Sequence, residues 1–149
     1  MGQPFRIRRR VEFRDTDAAG IVHFSQYFLY MEQAEHELLR QAGTSVMLED
    51  ERGSLSWPRV SVKCDFRGAA VFEDLLDIEV GITRLGSKSV TYQFRFFRDE
   101  RETAVGEVTA VFCRVFPQAP PQSLPIPADL RKLLEPFVIP PALPPAGSP

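Results

Sequence analysis

Apolar and polar residues alternate along most of this chain and recur at helical spacing in one stretch. Phe5, Ile7, Val11 and Phe13 share one parity, with arginines mostly on the other, which predicts a strand with one buried face. The period then changes. Tyr27, Phe28, Met31, Ala34, Leu38 and Leu39 fall on one helical face, and Gly43 suits the left-handed position that ends a helix. Ser25 precedes this helix as a candidate N-cap, with Phe24 and Leu29 spaced for a hydrophobic staple. No other segment predicts a helix of that length, so the strands must pack on it. Thr44 to Ser56 is polar, with the acidic run Glu49-Asp50-Glu51, and reads as a loop or short helical turn. Period two returns with Val60, Val62, Cys64 and Phe66, then with Leu76, Ile78, Val80 and Ile82. Val90, Tyr92, Phe94 and Phe96 make a third such run, and Thr103 to Val115 a fourth. Gly68, Gly86 and the charged Arg98-Asp99-Glu100-Arg101 stretch read as hairpin connections between them.

This order of elements implies an α+β chain: a curved antiparallel sheet of about five strands wrapped around one long central helix. Beyond Phe116 the composition shifts, and eleven of the thirteen prolines lie from Pro117 onward. Pro127 is placed to open a short helix through Leu134 that carries Leu130, Leu133 and Leu134. The final PPALPPAGSP suits neither helix nor sheet interior. The expected organisation is therefore one domain over residues 1–136 and a proline-rich C-terminal tail over residues 137–149.

Composition narrows the functional classes. With 149 residues and a formal charge of −2, the chain can build one core and gives no general reason to expect a nucleic-acid partner. Cys64 and Cys113 both lie in strand-like runs and read as small core residues in a reducing compartment. No histidine-rich spacing supports a metal, and no Gly-x-Ser-x-Gly elbow appears. The N-terminal MGQPFRIRRR lacks a following apolar segment, and no stretch approaches transmembrane length, so a soluble cytoplasmic protein is expected. Arg6, Arg8, Arg9 and Arg10 read first as a solvated strand face, with attraction of a phosphorylated ligand as the other reading.

Asp15-Thr16-Asp17-Ala18-Ala19-Gly20-Ile21-Val22, followed by a helix reading Tyr30-Met31-Glu32-Gln33-Ala34, resembles the 4-hydroxybenzoyl-CoA thioesterase family of hotdog-fold proteins. It is also similar to the small bacterial acyl-CoA thioesterases linked to the Tol-Pal system. The resemblance extends from about Phe5 to Val115. It implies the hotdog architecture, an acyl-CoA substrate, no cofactor, and a homodimer or homotetramer in which each site draws on two chains. Asp17 falls on the position of that family's catalytic aspartate, as nucleophile or as general base.

Thioester hydrolysis needs a group that attacks the carbonyl or activates water, and donors for the oxyanion that develops. A carboxylate supplies the first, and free amides at a helix start supply the second. Asp17 in the turn and the Phe24 backbone amide before the helix are the candidates, with Tyr27 among the aromatic residues of an apolar acyl pocket. Asp15 reads as turn chemistry. His23 either orients water or is structural; many relatives carry a histidine one place later, where this chain has Phe24. Glu32 reads as a buried or interface carboxylate and Glu35 as solvated, although another hotdog branch uses a helix glutamate. For the CoA phosphates the candidates are Lys88, which matches a basic position of the family, and Ser89; Asp74 reads as structural. Two other readings stay open. A hotdog enoyl-CoA hydratase uses an Asp and a His five apart, against six for Asp17 and His23. In a non-catalytic acyl or CoA-binding module, Asp17 would only shape the turn.

Overall fold

The computed structural model describes residues 2–141. The first strand, β1 (Phe5–Arg10), points Phe5 and Ile7 inward as their parity requires, but it ends two residues before Glu12. There the Asp15 carboxylate accepts the Glu12 N–H at 2.9 Å and closes a 3-10 turn over Phe13–Asp15. Val11 stays fully buried, whereas Phe13, expected on the same buried face, is swung out and 76% exposed.

The long helix, α1 (Gln26–Ala42), buries Tyr27, Tyr30, Met31, Ala34, Glu35, Leu38 and Leu39, and it stops at Gly43 with φ 90°. Its N-terminus departs from expectation. Ser25 stands at the cap position in a helical conformation and makes no cap bond, because its Oγ is 2.8 Å from His23 Nδ1 instead. Phe24 and Leu29, the expected staple, are both exposed.

Residues 44–56 form a hairpin, β2 (Leu48–Asp50) and β3 (Gly53–Ser56), where a loop or helical turn was expected. Gly53 at φ 127° permits the tight connection. Next come β4 (Arg59–Phe66), β5 (Leu75–Leu85), β6 (Ser89–Arg98) and β7 (Arg101–Val111). The run expected as one strand from Thr103 to Val115 breaks at Phe112, after which β8 (Cys113–Phe116) and β9 (Ala119–Ser123) follow. Among the described residues there are therefore nine strands rather than about five, in two antiparallel sheets ordered β1-β5-β6-β7-β4 and β2-β3-β8-β9. A second helix, α2 (Ala128–Leu134), follows Pro127 as expected and buries Leu130 and Leu134.

Gly86 and the Arg98–Arg101 stretch do make hairpin turns, but Gly68 does not. β4 pairs with β7 at the sheet margin, so residues 67–74 cross the end of the sheet to reach β5. The two sheets join where Trp57-Pro58 and Phe112 interrupt their strands. A proline cannot donate to a ladder, and the Trp57 and Phe112 rings pack at 4.9 Å in the corner so formed. The core lies between α1 and the inner face of the larger sheet, made of Leu76, Ile78, Val80, Ile82, Tyr92, Phe94, Phe96 and Ala110. Close approach is possible because β7 carries Gly106 beneath the helix: a Cβ there would sit 2.0 Å from Met31 Cε. Both cysteines are free, and burial pushes the Cys64 thiol up to about 12, so it stays protonated as a core residue.

Candidate active site

The segment between β1 and α1 is fixed by backbone bonds before any side chain acts. Gly20, at φ 81°, closes a tight turn in which its N–H bonds the Asp17 carbonyl and the Asp17 N–H bonds the Ile21 carbonyl at 2.8 Å. Val22 N–H bonds Ala70 O at 2.8 Å, which stitches the turn to the crossover connection. Beneath it, Asp15 is buried and accepts Tyr30 Oη at 2.8 Å as well as the Glu12 amide. Burial and this bond to Asp15 raise the Tyr30 phenol well above its ordinary value. Asp15 thus holds strand, turn and helix together, the turn role expected for it.

Asp17 is half-buried. Its Oδ1 accepts the Ala19 N–H at 2.8 Å, and Oδ2 has no protein partner among the described residues. It opens on a cleft of about 280 Å³ lined also by Phe24, Tyr27, Phe66 and Gly68–Ala70. The Phe24 N–H has no acceptor among the described residues and precedes the first turn of α1. Tyr27 forms the floor, edge-on to Phe66 at 5.2 Å and to Phe96 at 5.1 Å, and burial raises its phenol. A residue with a free carboxylate oxygen, a residue with a free amide at a helix start and an apolar wall line one cleft, the residue types that acyl transfer needs.

Of the residues expected here, Asp17, Phe24 and Tyr27 come together. His23 does not line the cleft; its ring stacks on Phe24 at 4.5 Å and its Nδ1 faces Ser25. Lys88 and Ser89 lie at the far end of the sheet: Ser89 pairs with Val111, whereas Phe66 pairs with Ala104. Phe96 is seven residue steps along β6 from Ser89, roughly 23 Å of strand. Sequence reasoning missed the wall formed by Phe66 and Gly68–Ala70. Its signal was an apolar strand ending in the small residues Gly68, Ala69 and Ala70, which let the chain pass close to the turn.

Of the helix glutamates, Glu35 is not solvated as expected, and Glu32 is not buried within the single chain. Glu32 is exposed, whereas Glu35 is 1% exposed and pairs with Arg59 at 2.8 Å. Burial, only partly offset by Arg59, raises the Glu35 carboxyl to about 7. Glu35 follows Met31 by four and precedes Leu39 by four, so the buried stripe itself was the signal. Asp74 is structural as expected, accepting the Val71 N–H at 2.8 Å and Arg98 at 3.2 Å.

The profile of the thioesterase-like superfamily matches residues 11–134, nearly all of the folded chain. The chain belongs to this superfamily. Among curated relatives, the 4-hydroxybenzoyl-CoA thioesterase of Pseudomonas sp. strain CBS-3 is 30% identical over 74% of this chain and 78% of its own. The 1,4-dihydroxy-2-naphthoyl-CoA hydrolase of Prochlorococcus marinus strain MIT 9303 is 34% identical over 66% of this chain and 70% of its own. A gentisyl-coenzyme A thioesterase structure is similar with a TM-score of 0.75 and 27% identity, over 87% of this chain and 99% of its own. These relationships make the chain a thioester hydrolase of hotdog fold. No helix among the described residues is long and apolar enough to cross a membrane.

Proposed function

We propose that the chain is an acyl-CoA thioesterase in which Asp17 attacks the thioester or takes a proton from the attacking water. The Phe24 N–H stabilises the oxyanion, with the first turn of α1 behind it. The acyl group lies on Tyr27 and Phe66. One observation carries this reading: Asp17 and Phe24 line the same apolar cleft, and among the described residues neither the Asp17 Oδ2 nor the Phe24 N–H has a partner. Named relatives that act on aryl-CoA thioesters favour an aromatic acyl group, and the ring-lined cleft fits one.

The site is completed by a second copy in this reading. β4 is a sheet margin whose Val60 is 62% exposed and Val62 51% exposed, an apolar edge of the kind that pairs. Antiparallel pairing of two β4 edges sets the Arg59 end of one subunit against the Phe66 end of the other. Lys88 lies at the Arg59 end, so it can reach CoA phosphates held at the neighbouring Asp17 cleft, as a dimer or within a tetramer.

The deciding experiment is thiol release from a panel of acyl-CoAs by wild type and by Asp17→Asn. Asparagine keeps the size and the bond to Ala19 but lacks the charge, so kcat should fall by ~10²-fold or more. KM should change little, because the oxyanion donor and the CoA contacts lie elsewhere. Asp15→Asn should instead show reduced thermal stability. Near wild-type hydrolysis by a folded Asp17→Asn protein would reduce Asp17 to a turn residue and favour a module that binds acyl-CoA without cleaving it.

A further inference from the structure

Thioester chemistry at Asp17 makes no use of the arginine run of β1, and the structure divides that run in two. Arg6 bonds Glu79 and Arg8 bonds Asp77 across the β1–β5 pair, so both charges are matched. Arg9 and Arg10 instead meet Arg14 at a separate cleft of about 370 Å³, between the end of β1, the Phe13–Asp15 turn and the start of α1. The acids of this cleft are already engaged. Asp15 holds Tyr30 and the Glu12 amide, and the Glu12 side chain accepts the Asp15 N–H in a capping box. Arg9 donates to Gln33 at 3.0 Å and lies 3.7 Å from Glu37. Arg10 donates to the Glu73 carbonyl at 3.2 Å, and neither it nor Arg14 has a carboxylate partner among the described residues. The lining therefore sets three guanidinium groups against the carboxylates of Glu12 and Asp15, and with Arg9 turned towards Glu37 it leaves Arg10 and Arg14 as the cations without a carboxylate partner among the described residues, in a concavity that also presents the Gln26 and Gln33 amides.

We infer that this cleft binds a phosphate group, with Arg10 and Arg14 as its main contacts and Arg9 and the two glutamine amides as further donors. Guanidinium forks match phosphate oxygens two at a time, and three of them around one cleft suit a dianion or a pyrophosphate better than a carboxylate. Arg14 precedes Asp17 by three residues, at most ~10 Å along the chain. Tyr27 lines the Asp17 cleft and Tyr30 lines this one, and the centroids of the two rings are 6.2 Å apart. The inference rests on the thioesterase reading only for the source of the phosphate: CoA if the sites work together, a free phosphate if they do not.

The test sets an Arg10→Gln/Arg14→Gln double variant against wild type, with Arg8→Gln as a control for loss of one paired charge. Three readouts are taken: hydrolysis of an acyl-CoA, hydrolysis of the matching acyl-N-acetylcysteamine thioester, which has no phosphate, and calorimetric titration with pyrophosphate. Loss of two such contacts should raise KM for acyl-CoA about tenfold, leave the phosphate-free substrate unchanged and weaken pyrophosphate binding. Weakened pyrophosphate binding with an unchanged KM for acyl-CoA would also support the site, with free phosphate as its ligand. Pyrophosphate binding equal to wild type in the double variant would overturn it, and so would equal slowing on both thioesters. If wild type hydrolyses neither thioester, the thioesterase reading fails, and the pyrophosphate titration still decides this one.

Discussion

Glu35 is the residue whose surroundings conflict most with its chemistry. Its Oε1 meets Arg59, but Oε2 is buried with no partner among the described residues, and so is the nearby Tyr92 hydroxyl. Burial disfavours the ionised form more than Arg59 favours it, which moves the carboxyl from 4.5 to about 7. The sign follows from linkage. Between pH 4.5 and about 7 the folded chain binds this proton more tightly than the unfolded chain, so stability falls as pH rises through that window and levels off above it. The charges that face Glu35 are Arg59 from β4 and Glu32 from its own helix; Tyr92 approaches from β6. The displacement corresponds to stability on the order of 3 kcal/mol, several degrees of Tm in a domain of this size. Glu35→Gln cannot ionise. The Tm difference between wild type and this variant should therefore shift against wild type from pH 5 to pH 8 by several degrees, read by calorimetry at both values. A difference that does not change with pH would mean that Arg59 keeps Glu35 ionised throughout. At this scale the sequence was legible where chain order supplies the neighbours. Asp15, Asp17 and Phe24 lie within ten residues, and their turn closes locally. Glu35 and Arg59 come together only through packing, and Lys88 was separated from Asp17 by a register that periodicity does not reveal.

Among elements, period-two patterning located every strand of the larger sheet; in β5, β6 and β7 the alternation is imposed by having one face on the core, whereas β4 alternates although its Val60, Val62 and Phe66 are exposed. It did not give their order. β4 and β5 follow one another in sequence yet lie at the margin and in the interior, since the crossover of residues 67–74 is set by where β7 pairs rather than by the glycine at 68. The smaller sheet was illegible for a different reason. Strands of three to five residues are too short to show a period, and β9 contains Pro120 and Pro121, which a strand tolerates at a sheet margin. The margin formed by β4 carries its own prediction. A lysine at Val62 would place a charge on the apolar edge proposed for subunit pairing, with little effect within the monomer, because Val62 is 51% exposed. Sedimentation should find wild type as a dimer or tetramer at micromolar concentration and Val62→Lys shifted towards monomer, with reduced turnover. A fully active wild-type monomer would remove the second copy from the mechanism.

In the whole molecule the two ends of the described chain are built into one edge. β1 covers β5 only as far as the Phe5–Val80 pair. Beyond it, Ile82 bridges Val138 in parallel, and the Ile139 N–H bonds Ile82 O at 2.8 Å. Gly2 N–H bonds Val138 O at 2.9 Å, and the Phe137 ring meets Phe5 edge-on at 6.4 Å. Gly81 leaves room for this crossing, since a Cβ there would come within 2.3 Å of Ile139 Cδ1. The folded chain therefore reaches Ile139, three residues beyond the expected boundary at 136. Proline density pointed to a tail, but only the uncovered length of β5 shows why Phe137–Ile139 are held. Deletion of residues 140–149, of which 142–149 lie outside the described residues, should leave Tm and turnover unchanged. Deletion from 137 removes three apolar side chains and re-exposes the β5 edge. At roughly 1 kcal/mol for each half-buried side chain, this should lower stability by about 3 kcal/mol and Tm by roughly 6–12 °C. Thermal melts of the two truncations beside wild type make the measurement. Equal stability of both would mean that β5 needs no cover there, and aggregation of the shorter deletion would mean that packing extends past Ile139.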